Sequence, residues 1–352
     1  MKLIDLFSGI GGFSLGFQRA GYQFTEHYFS EIDKHAIANY KHNFQNANYI
    51  GDITSIHGGD FTDIDIITFG SPCQDFSLAG KRAGLAGTRS SLIQHAIALI
   101  ADIRPSVFVW ENVKGAFSSN AGADFWAIIQ AFANIGDYTI EWQLLNTSWV
   151  LPQNRERIYL IGHLAGRSIP GVFPFGENDK LLEGKTRKEN RKRISIKTSL
   201  TRTITSRYHK MGSNDTYIIP KAASTLTGGG HSGGLHSDMT IIQINPSKES
   251  GGKQPYQQNR VFDEKGISPA LTRHNSDYAI SRMRRLTEIE CERLQGFPDN
   301  WTQYGNYNGD IKPIARTQRY KLIGNAVTVD IVELIAKRLN FSAHLTDKVT
   351  KS

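Results

Sequence analysis

Short apolar strands alternating with amphipathic helices over the first 165 residues, a polar Thr- and Gly-rich region from residue 166, and helical periodicity returning after Arg284 together predict an α/β protein with a smaller β-rich domain. The strands expected in the first part are Lys2–Phe7, Thr25–Ser30, Asp65–Phe69, Val107–Trp110, Thr139–Leu145 and Arg157–Gly162. Between them, Asp33–Phe44 and Ser91–Ile103 carry apolar residues at helical spacing, and strands interleaved with helices argue for a parallel sheet. From residue 166 short Thr/Ile pairs replace the helical periods. Thr203–Thr205 leads to Asn214–Ile219, Thr225–Thr227 to Ser237–Ile242, and Ala270–Thr272 to Ser276–Ile280. Each unit reads as strand, polar loop, strand, a set of β-hairpins presenting loops on one side. After Arg284 the stretch RRLTEIECERLQGF is helical, and Gly324–Leu339 is expected to form one amphipathic helix that returns to the first domain. The domains are thus expected at 1–165, 166–300 and 301–352.

Of the 352 residues, 39% are hydrophobic, enough for a sizeable core, and no apolar run approaches the length of a membrane span. The start, MKLIDLFSGIGG, is a poor signal peptide. Two cysteines, Cys73 and Cys291, make no disulfide framework, and no Cys/His cluster has zinc spacing, so a reducing, cytoplasmic setting without a bound metal is expected. The net charge of +8 is concentrated: residues 180–210 hold eleven Lys/Arg against two Glu. Such a block is either a solvated loop or the electrostatic footprint of a nucleic-acid binder.

The polar residues with chemical potential fall at strand ends, where ligands collect in doubly wound sheets. In DLFSGIGGFSLGF, Gly9, Gly11 and Gly12 allow close backbone approach, and the following helix start favours a carboxylate or phosphate. Ser14 stands where the dinucleotide fingerprint requires glycine. Glu31 ends the second strand at a spacing suited to ribose hydroxyls, and Asp52 in GDIT could accept from an adenine amino group, so an adenosine-containing ligand is expected. Cys73, in GSPCQDFS, and Glu111, in WENV, end two further strands. A thiolate and a carboxyl group at one crevice form a nucleophile and acid pair. Cys291, within a helical pattern, reads as a small buried hydrophobe.

In their order, DLFSGIGGFSLGF, SEIDKHA, GDIT, GSPCQDFS, ENV, PQNRERIYLIG, RRLTEIECERLQGFPD and YKLIGNAV resemble the motifs of the bacterial and phage DNA cytosine-5 methyltransferases, and they span residues 5–327. The resemblance implies a Rossmann-like mixed sheet of the S-adenosyl-L-methionine-dependent methyltransferase fold, with a target recognition domain before and through the RRLTEIE motif. It implies that Cys73 attacks carbon 6 of a flipped cytosine and that Glu111 meets ring nitrogen 3. Arg155 and Arg157 would anchor the base and its loop, with Arg157 nearer the ring. The implied cofactor is S-adenosyl-L-methionine, held by Phe7, Gly9, Ile10, Gly11, Gly12, Glu31, Ile32, Asp52, Ile53, Pro72, Leu92, Asn325 and Val327. Ile32 stands where many relatives carry a tryptophan, so Phe7 and Ile32 are expected to sandwich the adenine; Trp149–Leu151 replaces the usual Tyr-Gly-Val.

The implied partner is double-stranded DNA, bound by a monomer of a restriction-modification type of enzyme. Lys81, Arg82 and Arg89 belong to residues 79–92, which resemble the family's mobile loop that closes over DNA, and Gln74 and Ser77, just after Cys73, are also expected to contact DNA. Arg207, His231, Arg273 and His274 are expected on hairpin loops that read base edges, while the basic block neutralises phosphates. A nicotinamide-dependent oxidoreductase would share the glycine turn and Glu31, and a non-enzymatic DNA binder the charge; neither explains PCQ together with ENV.

Overall fold

The computed structural model describes residues 1–71, 91–117, 122–176, 217–218, 261–262, 279–280 and 284–342. One sheet of seven strands organises the larger part: β1 (Lys2–Leu6), β2 (Glu26–Ser30), β3 (Asn48–Tyr49), β4 (Ile66–Gly70), β5 (Val107–Val113), β6 (Tyr138–Asn146) and β7 (Glu156–Leu164), in the order β3-β2-β1-β4-β5-β7-β6. The first five run parallel, and β7 runs against both β5 and β6. The alternation in sequence suggests parallel strands throughout. The exception has a simple cause: β6 and β7 are joined by the short segment 147–155, which leaves no room for a crossover helix. The sheet is therefore mixed, as the fold class requires.

Strand order reverses between β1 and β4, so the crevice of this doubly wound sheet opens beyond their C-terminal ends. One face is covered by α3 (Ser91–Ile103) and α4 (Ala123–Ala133), whose Ala96, Leu99, Ile100, Phe125, Ile128 and Phe132 pack on Ile4, Leu6, Ile67, Phe69, Phe108 and Trp110. Additional helices are α1 (Gly12–Arg19), α2 (Lys34–Asn43), α5 (Glu288–Leu294), α6 (Arg316–Asn325) and α7 (Val329–Arg338). α5 begins in a reciprocal capping box between Thr287 and Glu290. A hairpin of β13 (Tyr304–Tyr307) and β14 (Asp310–Pro313) lies against α2, and β8 (Ser168–Ile169) pairs with β15 (Asn340–Phe341).

The chain divides into two compact units, Met1–Asp215 with Thr287–Ser352, and Thr216–Leu286. In the second, β9 (Tyr217–Ile218) pairs antiparallel with β12 (Arg284–Arg285), and β10 (Val261–Phe262) parallel with β11 (Ala279–Ile280). Tyr217–Ile218 and Ala279–Ile280 fall on strands expected from the repeats; the other arms and the basic block lie outside the described residues. No helix among the described residues is long and apolar enough to cross a membrane.

The expected helix over 324–339 is corrected to two. Gly324 and Asn325 end α6, Ala326 is extended, and α7 starts at Val329. The break is enforced by packing: a Cβ on Gly12 would lie 2.6 Å from Val327 Cγ2 and 3.1 Å from its carbonyl oxygen. One on Gly16 would lie 2.5 Å from Val332 Cγ1. Both glycines therefore let α1 cross α7 and the preceding corner at close range. A Gly12→Ala variant should lose about 1–3 kcal/mol in urea unfolding, the usual cost of overpacking; wild-type stability would remove this account of the corner.

Behind the crevice, Asp5 is fully buried and accepts from Thr68 Oγ1 (2.9 Å), Ser14 Oγ (2.9 Å) and the Tyr40 hydroxyl (3.2 Å). His27 Nε2 lies 2.7 Å from that hydroxyl and 3.0 Å from Ser14 Oγ. Burial raises the Asp5 carboxyl to about 7 and lowers the His27 imidazole to about 4. Folded Asp5 keeps a proton that the unfolded chain has released, so its contribution to stability falls as pH rises from about 4 to about 7. His27 does the opposite: its contribution falls as pH drops from 6.5 to about 4. The two slopes oppose one another across most of that window. Asp5→Asn leaves only the imidazole's, so its urea-unfolding stability relative to wild type should decline as pH falls from about 7 to about 4, by up to about 1.4 kcal/mol per pH unit. Parallel pH profiles for the two proteins would show that the network does not titrate this way.

Candidate active site

The glycine turn follows β1. Phe7 (φ 50°) and Gly9 (φ 54°) both take left-handed backbone, a conformation that costs Phe7 energy and recurs where structure is held for function. A Cβ on Gly9 would meet nothing within 4 Å, so this is the open side of the turn. Gly11 and Gly12 differ. Their missing side chains make way for Phe44 and Val327, both parts of this protein. Ile10 is fully buried, and its carbonyl accepts from the Trp301 indole at 2.9 Å. Ser8 Oγ is buried without a hydrogen-bond partner.

Glu31 directly follows β2, with its carboxylate turned to that loop. Oε2 accepts from Gly9 N at 2.8 Å, and Oε1 from Ile32 N (2.8 Å) and Asp33 N (3.0 Å). Three of roughly four acceptor sites are thus used, leaving one. Ile32 is 75% exposed, an apolar side chain held out beside a carboxylate. Asp52 is exposed and caps a 3-10 turn by accepting from Thr54 N at 3.1 Å, while Ile53 is buried in the core. Leu92 and Phe7 pack on the edge of that core. Tyr49, which the sequence did not single out, donates its hydroxyl to the Glu31 carbonyl at 3.0 Å.

The second half lies across β4 and β5. Their parallel register pairs Gly70 with Glu111. Asn112 Nδ2 donates to the carbonyl (3.0 Å) and hydroxyl (3.1 Å) of Ser71, and Trp110 Nε1 donates to the same hydroxyl at 3.0 Å. Ser71 is therefore pinned where the chain leaves for Pro72. The ENV motif points to Glu111, whereas the clamping role of Asn112 emerges only from the pairing of β4 with β5. Pro72, Cys73, Gln74, Ser77, Lys81, Arg82, Arg89, Arg207, His231, Arg273 and His274 lie outside the described residues.

Glu111 is 9% exposed, and Arg157 Nε lies 3.1 Å from its Oε1. Burial raises the carboxyl's pKa, against the opposing pull of Arg157 and Arg155. Arg155, 3% exposed, donates to the carbonyls of Ala326 (2.9 Å) and Gly324 (3.5 Å). Between them, Asn325 is exposed, and Val327 turns inward onto Gly12. The two arginines thus divide: Arg157 meets the carboxyl, and Arg155 holds the corner that carries Asn325. The arrangement offers a buried carboxyl with a raised pKa, an arginine beside it, and an open, partly apolar crevice with a carboxylate acceptor.

A model of the C-5 cytosine-specific DNA methylase family matches residues 1–340. The type II methyltransferase M1.ScrFI of Lactococcus lactis subsp. cremoris is 33% identical over 343 residues, 96% of this chain and 77% of that protein. The type II methyltransferase M.NgoBI of Neisseria gonorrhoeae is 31% identical, covering 96% of this chain and 92% of its own. Among solved structures, the Dnmt2 methyltransferase of S. pombe shares the fold with a TM-score of 0.61 at 18% identity, over 96% of this chain and 97% of that one. With its motifs in order and its fold in common with these proteins, the chain belongs to the C-5 cytosine-specific DNA methylase family and is a DNA (cytosine-5-)-methyltransferase.

Proposed function

We propose that the protein takes the methyl group from S-adenosyl-L-methionine and places it on carbon 5 of a cytosine flipped out of a specific duplex DNA sequence, by way of a covalent bond between Cys73 and carbon 6. The observation that carries this reading is the pairing of Gly70 with Glu111 and the clamp of Asn112 on Ser71, which start the Pro72-Cys73-Gln74 segment beside a buried carboxyl. The crevice suits the nucleoside of the cofactor: Gly9 is open, Glu31 retains an acceptor site, and exposed Ile32 offers an apolar face. Glu31 would take a ribose hydroxyl, Asp52 the adenine amino group, Phe7 and Ile32 the ring, and Asn325 the methionine end.

When bound, S-adenosyl-L-methionine supplies an electrophilic methyl sulfonium. Carbon 5 of cytosine is a poor nucleophile, and addition of the Cys73 thiolate to carbon 6 makes it an enamine carbon. Glu111, whose pKa is raised by burial, donates a proton to ring nitrogen 3 as the thiolate adds. Arg157 fixes the carboxyl's orientation, and Arg155 holds the corner with Asn325. Once carbon 5 has taken the methyl group, loss of its proton to a base restores the double bond and expels the thiolate. Carbon 6 is inaccessible inside the duplex, so the base must leave the stack first. Within 166–300, the basic block supplies phosphate contact and the repeat loops base reading, with the protein acting as a monomer on cellular DNA in the cytoplasm.

Cys73→Ser should abolish methyl transfer while retaining DNA binding, because an alcohol offers far less anion than a thiol at neutral pH. Duplex DNA carrying 5-fluorocytosine at the target should yield a covalent adduct in denaturing gels with the wild type only. Substantial methylation by the serine variant would end the assignment. Glu111→Gln should slow transfer by about a hundredfold or more. Because the carboxyl's pKa is raised, the wild-type rate should fall on its alkaline side, a limb the glutamine variant lacks.

A further inference from the structure

The turn Glu31-Ile32-Asp33 joins β2 to α2, and its own side chains give it little packing, since Ile32 is 75% exposed. It is held from two sides instead. From β3, Tyr49 donates its hydroxyl to the Glu31 carbonyl at 3.0 Å, one peptide from Ile32. The Tyr49 ring is 40% exposed, rests on Phe29 with centroids 5.3 Å apart, and carries the Lys41 ammonium 5.2 Å from its centre. Burial and then the neighbouring carboxylates of Glu31 and Asp52 hold the phenol's pKa above its ordinary value, so Tyr49 stands close to both acids assigned to the nucleoside. From α6, Lys321 Nζ lies 2.6 Å from Asp33 Oδ2. The other oxygen, Oδ1, accepts from His35 N (2.8 Å) and Ala36 N (3.2 Å), so Asp33 caps α2 and takes the lysine at once. His35 Nδ1 in turn lies 2.6 Å from the Tyr307 hydroxyl of the hairpin.

We propose that Tyr49 and Lys321 are positioning residues that hold the Glu31–Asp33 turn from opposite sides, and so set the affinity for the nucleoside part of the methyl donor without touching it. The proposal depends on the cofactor pocket given above. Glu31 can receive a ribose hydroxyl only while its carboxylate stays fixed against Gly9, and a turn without buried side chains needs outside contacts, beside its own hydrogen bonds, to keep that geometry. Lys321 also sits one helical turn before Asn325, so the segment that grips Asp33 is the one that carries Asn325 to the other end of the crevice.

Isothermal titration of S-adenosyl-L-homocysteine into the full-length protein tests this. Tyr49→Phe and Lys321→Met should each raise Kd about three- to tenfold, the lysine at the lower end because its pair is partly exposed. Lys321→Arg should restore binding. Asp33→Asn keeps the cap but loses the ion pair, so it should match Lys321→Met, and the two changes together should cost no more than either alone. KM for the methyl donor should rise by the same factor while kcat at saturation moves less than about twofold, and thermal unfolding of the ligand-free protein should not shift. Wild-type Kd in both Tyr49→Phe and Lys321→Met overturns the proposal. So does weakened binding that tracks a lowered unfolding temperature without rescue by arginine. Glu31→Ala separates the two levels: if it too binds normally, the pocket itself is misassigned; if it alone binds poorly, only the positioning role fails.

Discussion

A buried guanidinium just before β7 constrains much of the larger unit. Arg155 is almost wholly removed from solvent, and burial, with Arg157 as a like charge nearby, lowers its pKa to about 9, so it remains charged near neutrality. An ion in that setting is tolerable only with full hydrogen bonding and a compensating field. The carbonyls of Gly324 and Ala326 contribute to the first, and they lie at the C-terminal end of α6, where a cation is favoured. Glu111 supplies the second. The return of the chain after residue 287 is thereby tied to the strand end that carries the acidic group.

That tie organises the corner between α6 and α7. With both flanking carbonyls turned to Arg155, Asn325 faces outward and Val327 inward onto Gly12. A second polar set secures the same corner: Gln295 Nε2 donates to the Ile323 carbonyl, Thr328 Oγ1 to Gln295 Oε1, and Gln153 Nε2 to the Leu294 carbonyl. Glu292, fully buried, accepts from Asn300 N, Thr302 N and Arg319. It shapes the loop whose Trp301 reaches the Ile10 carbonyl. Segments far apart in sequence, the glycine turn, PQNRER and LIGNAV, so become one packed body.

What could be read from the sequence follows from which forces are local. β1, β2, β4, β5 and α3 carry their own periodicity, and their observed bounds differ from the expected ones by a few residues at most. Glu31 was legible for the same reason, just past the end of β2, whereas Glu111, expected at a strand end, lies inside β5, which runs on to Val113. Asn112, Tyr49 and Lys321 were not legible, because their partners are remote: Ser71 is 41 positions from Asn112, and Asp33 is 288 from Lys321. The split of residues 324–339 into two helices was hidden likewise, since GNAVTVDIVELIAKRL has helical periodicity and the contacts at its break, from Gly12, Arg155 and Gln295, are remote in sequence. Gly11 and Gly12 show the converse: a ligand-binding reading of a glycine run cannot tell a cofactor from a neighbouring side chain as the reason for a missing Cβ.

Local rules are broken most densely around the crevice. Phe7 holds a left-handed backbone, Ser8 buries an unsatisfied hydroxyl, Ile32 exposes an apolar side chain, and Glu111 buries a carboxyl. None of these favours the folded state, and such concentrations are expected where structure serves chemistry. The Asp5 network belongs with them. Glu31 is near enough to raise the Asp5 pKa, so an ionised Asp5 would place two negative charges at the adjoining ends of β1 and β2. With its carboxyl held near 7 and three hydroxyls around it, Asp5 can retain its proton, and the acceptor that faces the open side of the turn is Glu31.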